Sequence, residues 1–537
     1  MRVIAYTIET HDDDQLTIRE STGQSITSAD IGELLDWLLI DYTETPEILM
    51  VTWDLADFAA PLLRKLGPEC CEELAKNQPP RTKLFPPYNI FYRYVQERGG
   101  LFAIDKGFKK QTASFYSLNQ FFPKGQEAPE TAEAVQSLGD DLIQSLSSIG
   151  VNPTKLTSPI AAYLSCTTLP IPRSDRSGQG EILAGEYAFE CTSREWRDCF
   201  QVGTWEADQC FDYDLINAYS AVAAQLLDTR DAEFIYSTDY VPGAYWGFLK
   251  GRVTIKGDVL VSPIIREMAD GSHGTPVGSW DTYLTLGEVN FINKNEIGHF
   301  DLEDGWFVKF RHGDRPLESL MRKLYGDRKK SDNPTLARFL KDTANGMIGK
   351  LLQVNDDGTV GEYYNPVWHA MVTSTVRLAV SRFIYNENAQ EHVIAINTDG
   401  CLMDREMPVR ENPGLGQWRL SGTHPAIAVS PGLVFTADKS PQGINYDTLR
   451  AMMAEDPKAS EYRHYRRRHT TLKEAVDAGD IGQVGELNTY SGTVNLPAIA
   501  ESLTRQFLKY PQTGAELLAK KYVSTPFRWD SLTTSKP

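Results

Sequence analysis

The middle of the chain contains the segment Asp212-Tyr213-Asp214-Leu215-Ile216-Asn217-Ala218-Tyr219-Ser220, which is followed by an apolar run over residues 221–227. This pattern predicts a short buried strand that ends in an acidic residue, and a helix that begins a few residues later. A carboxylate at a strand end is held rigidly beside open space, which suits a divalent metal site that must also admit a phosphate. The alternative is that these polar residues only cap the helix.

A second acidic position lies far downstream, between two apolar runs. Residues 392–403 read His-Val-Ile-Ala-Ile-Asn-Thr-Asp-Gly-Cys-Leu-Met, and they predict a β-hairpin with Asp399 near its tip. Thr398-Asp399-Gly400 is also an ordinary turn sequence, so a plain hairpin turn is the alternative. Between the two acidic positions, residues 340–350 predict a helix that ends in glycine.

In this order, the three segments resemble motifs A, B and C of family B DNA polymerases. Asp214 and Tyr219 match motif A (D-x-x-S-L-Y-P), Lys341 and Asn345 match motif B (K-x-x-x-N-S-x-Y-G), and residues 397–400 match motif C (D-T-D-S). The long interval between motifs A and B resembles the protein-primed branch, which is found in bacteriophages and linear plasmids. In that branch an inserted subdomain contacts the terminal protein.

The resemblance implies a fold with α/β and α+β parts. It is a right-hand polymerase with palm, fingers and thumb, preceded by an N-terminal RNase H-like domain of the exonuclease type. The expected domains are a degenerate 3′–5′ exonuclease-like domain (1–160), the first palm part with motif A (161–229), an insertion resembling the terminal-protein region (230–312), fingers with motif B (313–350), the second palm part with motif C (351–440) and a thumb-like helical region (441–537). An insertion that only pads the palm is the alternative for 230–312.

The N-terminal region alternates between strand and helix patterns. Residues 2–10 and 47–53 predict strands, residues 29–42 predict a helix, and a further helix follows Asp54 and ends near Gly67. This order indicates an α/β domain.

The exonuclease motifs of this region depart from the family pattern. The first, D-I-E-T, appears as Thr7-Ile8-Glu9-Thr10, and the second, N-x-x-x-F-D, ends in Ala59. Two-metal chemistry needs several converging carboxylates. We therefore expect a retained fold without proofreading, and rescue of the site by Asp12, Asp13 or Asp57 is the alternative.

The composition is that of an ordinary globular chain with an acidic balance. The chain has 537 residues, a formal net charge of −18 and seven scattered cysteines. A polymerase with this charge must concentrate its basic residues in a channel, because nucleic acid is polyanionic. No apolar run approaches the roughly 18 residues that cross a bilayer, so no membrane partner is expected. The cysteine pattern favours a reducing cytoplasm; the resemblance implies a bacterial or archaeal host cell, with a virus or mobile element as one source of the gene.

The resemblance also assigns roles to individual residues. Asp214 and Asp399 are the expected catalytic residues, and with Asn397 they are expected to bind two Mg²⁺ ions, with Mn²⁺ as a substitute. The expected contacts to the deoxynucleoside triphosphate are Tyr219, Lys329, Arg338, Lys341 and Asn345. For lysines in the charged run near residue 330, simple solvation is the alternative.

The C-terminal hundred residues read as mainly helical. Residues 461–469 form the most basic run of the chain, with tyrosines interleaved. Arg463, Arg466, Arg467 and Arg468 are the expected contacts to primer-template or single-stranded DNA. A solvated charged helix is the alternative.

The sequence therefore predicts a DNA-directed DNA polymerase that extends a primer 3′-hydroxyl, or a protein hydroxyl if a terminal protein serves as primer. Three departures keep two rivals open, a template-independent nucleotidyltransferase and a non-catalytic nucleic-acid-binding scaffold. Asn397 replaces an aspartate, Gly346 and Ile348 replace the serine and tyrosine of motif B, and the primer-gripping K-x-Y element is missing near residues 431–434. The short segment 351–364 lacks room for the second insertion of the protein-primed branch, which predicts weak strand displacement.

Overall fold

The structure is a computed structural model that describes residues 1–39, 48–95, 99–106, 111–173, 179–192, 196–268, 271–355, 358–501 and 504–529. The N-terminal domain contains helices and strands in alternation. Its strands are β1 (Arg2–Thr10), β2 (Leu16–Glu20), β3 (Ser25–Ser28), β4 (Ile48–Thr52), β5 (Arg81–Thr82), β6 (Tyr88–Val95), β7 (Gly99–Lys106) and β8 (Gln111–Ser117). Its helices are α1 (Ile31–Leu38), α2 (Leu55–Leu66), α3 (Pro68–Lys76) and α4 (Ala132–Ser148).

These strands form one mixed sheet in the order β3-β2-β1-β4-β8-β7-β6-β5. The parallel pairs are β1 with β4 and β4 with β8. The predicted strands and the helix that ends near Gly67 are confirmed, since Asp54 caps the start of α2 and Gly67 follows its end with a φ of 86°. Helix α1 is shorter than the predicted 29–42, of which residues 40–42 lie outside the described part of the chain.

Two five-stranded sheets, called the palm here, are formed mainly by the regions that the resemblance assigns to it, 161–229 and 351–440. The first contains β9 (Arg197–Cys199), β11 (Phe211–Leu215), β18 (Val393–Asn397), β19 (Gly400–Met403) and β20 (Trp418–Thr423), in the order β20-β11-β19-β18-β9. The second contains β10 (Gln201–Trp205), β21 (Ala426–Ser430), β22 (Leu433–Phe435), β25 (Arg505–Phe507) and β26 (Tyr522–Pro526), in the order β22-β21-β10-β26-β25. Helices α5 (Pro159–Leu164), α6 (Gln179–Cys191), α7 (Ala218–Ala223) and α11 (Pro366–Asn386) surround them.

Helix α11 supports the first palm sheet from below. Its Phe383 ring lies 5.4 Å from the ring of Tyr213 in β11 and stacks on Trp418 in β20 at 4.2 Å. Its fully buried Trp368 donates from Nε1 to the carbonyl of Leu227, which follows α7. The helix therefore packs beneath β11 and β20 and supports both strands.

An insertion and a pair of helices lie between the palm strands in sequence. The insertion contains β12 (Ala232–Ser237), β13 (Trp246–Ile255), β14 (Arg266–Glu267), β15 (His273–Gly274), β16 (Gly278–Thr285), helix α8 (Leu286–Lys294) and β17 (Gly298–Phe310), with a main sheet in the order β12-β17-β13-β16. The helix pair consists of α9 (Glu318–Lys330) and α10 (Pro334–Lys350). Lys329 and Lys330 end α9, and the turn between the two helices covers residues 331–333.

The C-terminal region differs from the helical prediction. It contains α12 (Tyr446–Glu455), β23 (Glu461–His469), α13 (Leu472–Asp477), β24 (Leu487–Asn495) and α14 (Gly514–Ala519). The basic run is a strand, β23, that pairs with β24 along its whole length. The expectation of a helical thumb is therefore wrong, and the last strands β25 and β26 join the palm through β10. In the described parts of the chain, no helix combines the length and apolarity needed to span a membrane.

Candidate active site

The register of the first palm sheet places the sequence-predicted acidic site in one row. Asp214 lies opposite Gly400, and Gly400 lies opposite Asn397 on the next strand. On its other side Asp214 lies opposite Arg419 of β20. Directly opposed residues of neighbouring strands share a face of the sheet. Asp214, Asn397 and Arg419 therefore lie side by side on one face.

The β-hairpin predicted for motif C is confirmed, with Asp399 at its tip. Thr398 takes a left-handed conformation with a φ of 60°, which turns the chain between β18 and β19. The amide of Leu215 donates to the carbonyl of Asp399 at 3.1 Å, so the tip is bound to the end of β11. The backbones that carry Asp214 and Asp399 are thus brought together.

Close approach of the two strands requires the glycine that follows Asp399. A Cβ on Gly400 would lie 2.8 Å from the carbonyl oxygen of Tyr213, which is closer than real contacts allow. A larger residue would push β19 away from β11. Gly400 therefore sets the spacing between the strand of Asp214 and the hairpin of Asp399.

Two basic side chains reach the acidic face of β11, and sequence reasoning assigned neither to the site. Arg419 places Nη2 at 2.8 Å and Nε at 3.3 Å from Oδ2 of Asp214. Lys439 places Nζ at 2.6 Å from Oδ2 of Asp212, which shares the face of Asp214 because the two are alternate residues of one strand. Lys439 lies beyond residues 431–434, where the K-x-Y element of the family is expected.

A cleft of about 770 Å³ opens between the palm, the insertion and helix α10. Tyr219, Asn345 and Thr398 all line it, so the structure brings residues of motifs A, B and C to one space. The insertion contributes Arg266, Glu267, His273 and Thr282, and α11 contributes His369, Thr373 and Arg377. Burial lowers the pKa of His369 to about 4, which keeps this imidazole neutral near pH 7.

Helix α9 contacts the turn that follows Asp214. Asn217 has a left-handed φ of 48° at the start of α7, and its Oδ1 accepts a 2.7 Å hydrogen bond from Nη1 of Arg328. Arg328 is the residue before the predicted Lys329, which is exposed at the helix end. The sequence pointed to the basic end of α9, and the residue there that reaches the palm is Arg328.

The predicted basic residues of α10 separate into two places. Lys341 is exposed one turn before Asn345, so the two share a face of the helix. Arg338 instead donates to the carbonyl of Phe122 and pairs with Asp342, and it lines a different cleft, beside the N-terminal domain. Arg338 precedes Lys341 by three residues and Asn345 by seven on the same helix, so its contact with the nucleotide stays a prediction.

The four predicted DNA-binding arginines lie on β23 but are not equivalent. Arg463, Arg466 and Arg467 are exposed, and so is Tyr465 between them. Arg468 pairs with Glu474 at 2.8 Å and lies 3.7 Å from the ring centre of Tyr490, so its charge is used within the domain. The surface of β23 is therefore basic through its first three arginines.

In the N-terminal domain, Thr7 and Ala59 occupy two positions that the expected exonuclease motifs fill with aspartate. Ala59 is fully buried, and Glu9 is exposed in an ion pair with Arg19. Asp54 and Asp57 lie near His469 of β23, with one ligand atom of each within 4.8 Å of the others. Burial and the charge of Asp54 raise the pKa of Asp57.

Most of the hydrogen-bonding capacity of Asp54 is used inside the domain. Its Oδ1 accepts from the amide of Ala56, and its Oδ2 accepts from Tyr94 and Asn119. Asp54 therefore caps α2 and ties neighbouring elements together.

The oxygen ligands offered by the row of Asp214 and Asn397 and by the hairpin tip fit a hard divalent cation. Asp214, Asp399 and Asn397 offer carboxylate and amide oxygens, which are the ligands that Mg²⁺ prefers in proteins. The described part of this row contributes no sulfur or imidazole that would favour a softer metal. Arg419 already contacts one oxygen of Asp214.

Neither a family model nor a curated relative matches the sequence. Solved structures do match. Phi29 DNA polymerase in an orthorhombic crystal form aligns with a TM-score of 0.57 at 12% identity, over 92% of this chain and 100% of that chain. Its ternary complex with primer-template DNA and incoming nucleotides gives 0.54 at 12% identity over 92% and 99%, and its complex with single-stranded DNA gives 0.53 at 11% identity over the same shares.

At this identity the likeness concerns the fold, and it extends over almost the whole of both chains. It confirms the fold expected from the three motifs. The chain therefore has the multidomain α/β fold of Phi29 DNA polymerase, a protein-primed family B DNA polymerase.

Proposed function

We propose that this chain is a DNA-directed DNA polymerase that adds deoxynucleotides to a primer 3′-hydroxyl or to a protein hydroxyl. The proposal is carried by the pairing of β11 with β19, which sets Asp214 beside the hairpin tip of Asp399. Two carboxylates on adjacent strand ends are what nucleotidyl transfer needs, and Thr398, the residue before Asp399, lines the cleft of about 770 Å³. The polymerase fold supplies the context.

In this proposal Asp214, Asp399 and Asn397 hold two Mg²⁺ ions, which Mn²⁺ can replace. When bound, the ions favour the deprotonated form of the attacking hydroxyl and neutralise charge on the phosphates. The residues of the chain hold the reacting groups in line. The hydroxyl oxygen forms a bond to the α-phosphorus, the bond to pyrophosphate breaks, and the hydroxyl proton leaves to solvent.

The incoming nucleotide is proposed to enter the cleft lined by Tyr219 and Asn345. The ring of Tyr219 would lie under the sugar and exclude a 2′-hydroxyl, so deoxynucleotides are preferred. Lys341, one turn from Asn345, would stabilise charge on the phosphates. Lys329, which is exposed at the end of α9, is proposed as a further contact to the phosphates. Arg338, three residues before Lys341 on α10, stays in the proposed set, and its guanidinium also lines the other cleft.

The DNA partner is proposed to contact the exposed face of β23 and the basic residue beside β11. Arg463, Tyr465 and Arg467 are alternate residues of one strand, so they share a face on which phosphates and bases can be held. Lys439 lies beside the acidic strand, where a primer end would arrive. Primer-template DNA, single-stranded DNA and a terminal protein primer are the proposed partners.

Absence of proofreading belongs to the same proposal. Thr7 and Ala59 stand where the family has acidic residues, and Ala59 is fully buried. The proposed setting is the cytoplasm of a bacterial or archaeal host cell, with a virus or mobile element as one source of the gene.

The proposal is tested by primer extension with Mg²⁺ and labelled deoxynucleotides. Asp214→Asn and Asp399→Asn should each lower the rate by at least about 100-fold, because each removes charge needed in the transition state. Asp301→Asn is the matched control, since Asp301 is an exposed aspartate of the insertion, and it should leave the rate unchanged.

The same assay separates the rivals. Addition that ignores the template sequence would indicate a template-independent nucleotidyltransferase. No addition with any primer, together with DNA binding that Asp214→Asn leaves intact, would contradict the polymerase proposal and indicate a scaffold.

A further inference from the structure

The contact between Arg419 and Asp214 is fixed by the sheet. The ladder continues past it, since Ile216 donates to the carbonyl of Gln417 at 3.0 Å and Gly416 donates to the carbonyl of Ile216 at 2.8 Å. The neighbouring Trp418 stacks on Phe383 at 4.2 Å with an interplanar angle of 13°. The backbone of Arg419 therefore cannot move away from Asp214 without breaking a strand pair and a buried stack.

The guanidinium of Arg419 contacts an oxygen of Asp214 that a metal ion would also have to bind. Both Nη2 and Nε of Arg419 lie within hydrogen-bond distance of the same oxygen, Oδ2 of Asp214. An Mg²⁺ ion bound to that oxygen would sit at about 2.1 Å, where it would meet the guanidinium with its like charge. The side chain of Arg419 is 51% exposed, so it can swing out while its backbone stays in place.

The charges around Asp214 also disfavour metal binding in the absence of a nucleotide. Asp214 and Asp399 carry two negative charges, Asn397 carries none, and Arg419 contributes one positive charge. Two divalent cations bound there would repel each other and the guanidinium of Arg419. An incoming triphosphate would bring the missing negative charge, and it would offer the displaced guanidinium a phosphate to bind.

We propose that Arg419 is a positioning residue that couples metal loading to nucleotide binding. Without nucleotide, it holds Asp214 and competes with the metal; with nucleotide, it releases Asp214 to the metal and turns to the phosphates. This inference rests on the proposed function, because it takes the palm row as the metal site of a polymerase.

The test measures Mn²⁺ binding by electron paramagnetic resonance, with and without a non-hydrolysable deoxynucleoside triphosphate analogue. Binding of Mn²⁺ to the analogue alone is subtracted. The variants are Arg419→Gln and Arg419→Lys, and Arg252→Gln is the control because Arg252 forms an exposed ion pair with Asp281 in the insertion. Thermal unfolding of each variant establishes that it is folded.

For the wild type, we expect weak Mn²⁺ binding that the analogue strengthens. Arg419→Gln should strengthen binding of Mn²⁺ alone by about two- to fivefold, the size of one half-exposed ion pair, and it should reduce the gain from the analogue. Arg419→Lys should lie between the two, and Arg252→Gln should match the wild type.

Equal Mn²⁺ affinity in wild type and Arg419→Gln, with an unchanged effect of the analogue, would overturn the role of Arg419 while leaving the polymerase proposal intact. Mn²⁺ binding that Asp214→Asn and Asp399→Asn do not weaken, even with the analogue present, would overturn the proposed function and the inference with it.

Discussion

Gly346 lies where motif B of the family has a serine, and its surroundings explain the difference. A Cβ at Gly346 would lie 2.7 Å from Cβ and 2.8 Å from Cγ2 of Ile160 in α5. Both atoms sit close to the backbone of α5, so they cannot rotate away as the end of a long side chain could. The glycine is therefore a packing requirement between α5 and α10.

Restoring the family residue should destabilise the protein. We expect Gly346→Ser to lower the free energy of unfolding by about 1–3 kcal/mol through overpacking, as measured by denaturant unfolding. In Ile160→Gly, which removes both clashing atoms, the same serine should cost less, and the double-mutant cycle should give a coupling of about 0.5–3 kcal/mol.

Gly326→Ser is the matched control, because Gly326 is also helical and no atom lies within 4 Å of its ideal Cβ. That change should be neutral or slightly stabilising, since glycine is the weaker helix former. Equal costs at Gly346 and Gly326 would contradict the steric explanation.

At the scale of elements, a buried ion pair joins the insertion to the palm. Arg377 of α11 donates from Nη2 to Oε1 of Glu288 in α8 at 2.5 Å, and their side chains are 6% and 2% exposed. The other oxygen of Glu288 accepts from the amide and hydroxyl of Thr285 and so caps α8. The pair thus fixes the insertion against the helix that supports the palm sheet.

Removing one partner should be costly because it leaves a buried charge alone. We expect Arg377→Met to lower the free energy of unfolding by about 3–5 kcal/mol. Arg377→Met combined with Glu288→Gln should recover part of the loss, since glutamine is neutral and can still cap α8. A double variant no more stable than Arg377→Met, measured by denaturant unfolding, would argue against the isolated charge as the cause.

A second ion pair gives the basic hairpin a pH dependence. Hydrogen bonds from Arg468 lower the pKa of Glu474 to about 2 from an ordinary value of 4.5. A carboxyl whose pKa is lowered by folding stabilises the folded state above its unfolded pKa. This contribution is lost as the pH falls from about 4.5 towards 2.

We therefore expect Glu474→Gln to lower the midpoint of denaturant unfolding at pH 7. The difference from wild type should shrink between pH 5 and pH 3, because the carboxyl of the unfolded chain takes up its proton there while the folded one, with its pKa near 2, stays ionised. The effect should be modest, since the side chain of Glu474 is 42% exposed. A difference that stays constant over this pH range would show that charge is not the cause.

The same hairpin shows why part of the fold escaped the sequence. In β23 the buried Tyr462 and His464 alternate with the exposed Arg463 and Tyr465, which is a strand pattern. Arginine is a good helix former, and no tight turn follows the run, because α13 separates β23 from its partner β24. Because the partner strand does not follow directly in sequence, the residues of β23 favour a helix when they are considered alone.

Strand register limits prediction of the site in a similar way. Asp214 and Asp399 were predictable because each stands at the end of an apolar run beside turn residues. The contact of Arg419 with Asp214 depends on which residue of β20 faces Asp214, and that register is set by tertiary pairing with a bulge at Asp212 and Tyr213. Local sequence does not encode it.

At the scale of the whole molecule, the connection from α10 to α11 is short and closed on itself. The amide of Asn365 donates to the carbonyl of Leu351 at 2.8 Å, so the two ends of the connection are tied together. Val354 and Val360 form an isolated antiparallel bridge within it. The protein-primed branch, which the sequence resembles, has its second insertion at this place, where it encircles the template. The connection in this chain is too short to contain it.

Without such an element, we expect weak strand displacement. Opening each base-pair step costs about 1.4 kcal/mol on average, and a polymerase that does not hold the strands apart must wait for thermal opening. Extension on an open single strand should therefore exceed extension through a downstream duplex by a wide margin. The measurement compares product lengths on two templates that differ only in the blocking strand. Phi29 DNA polymerase under the same conditions is the reference, and kilobase products through the duplex without helper proteins would contradict the expectation.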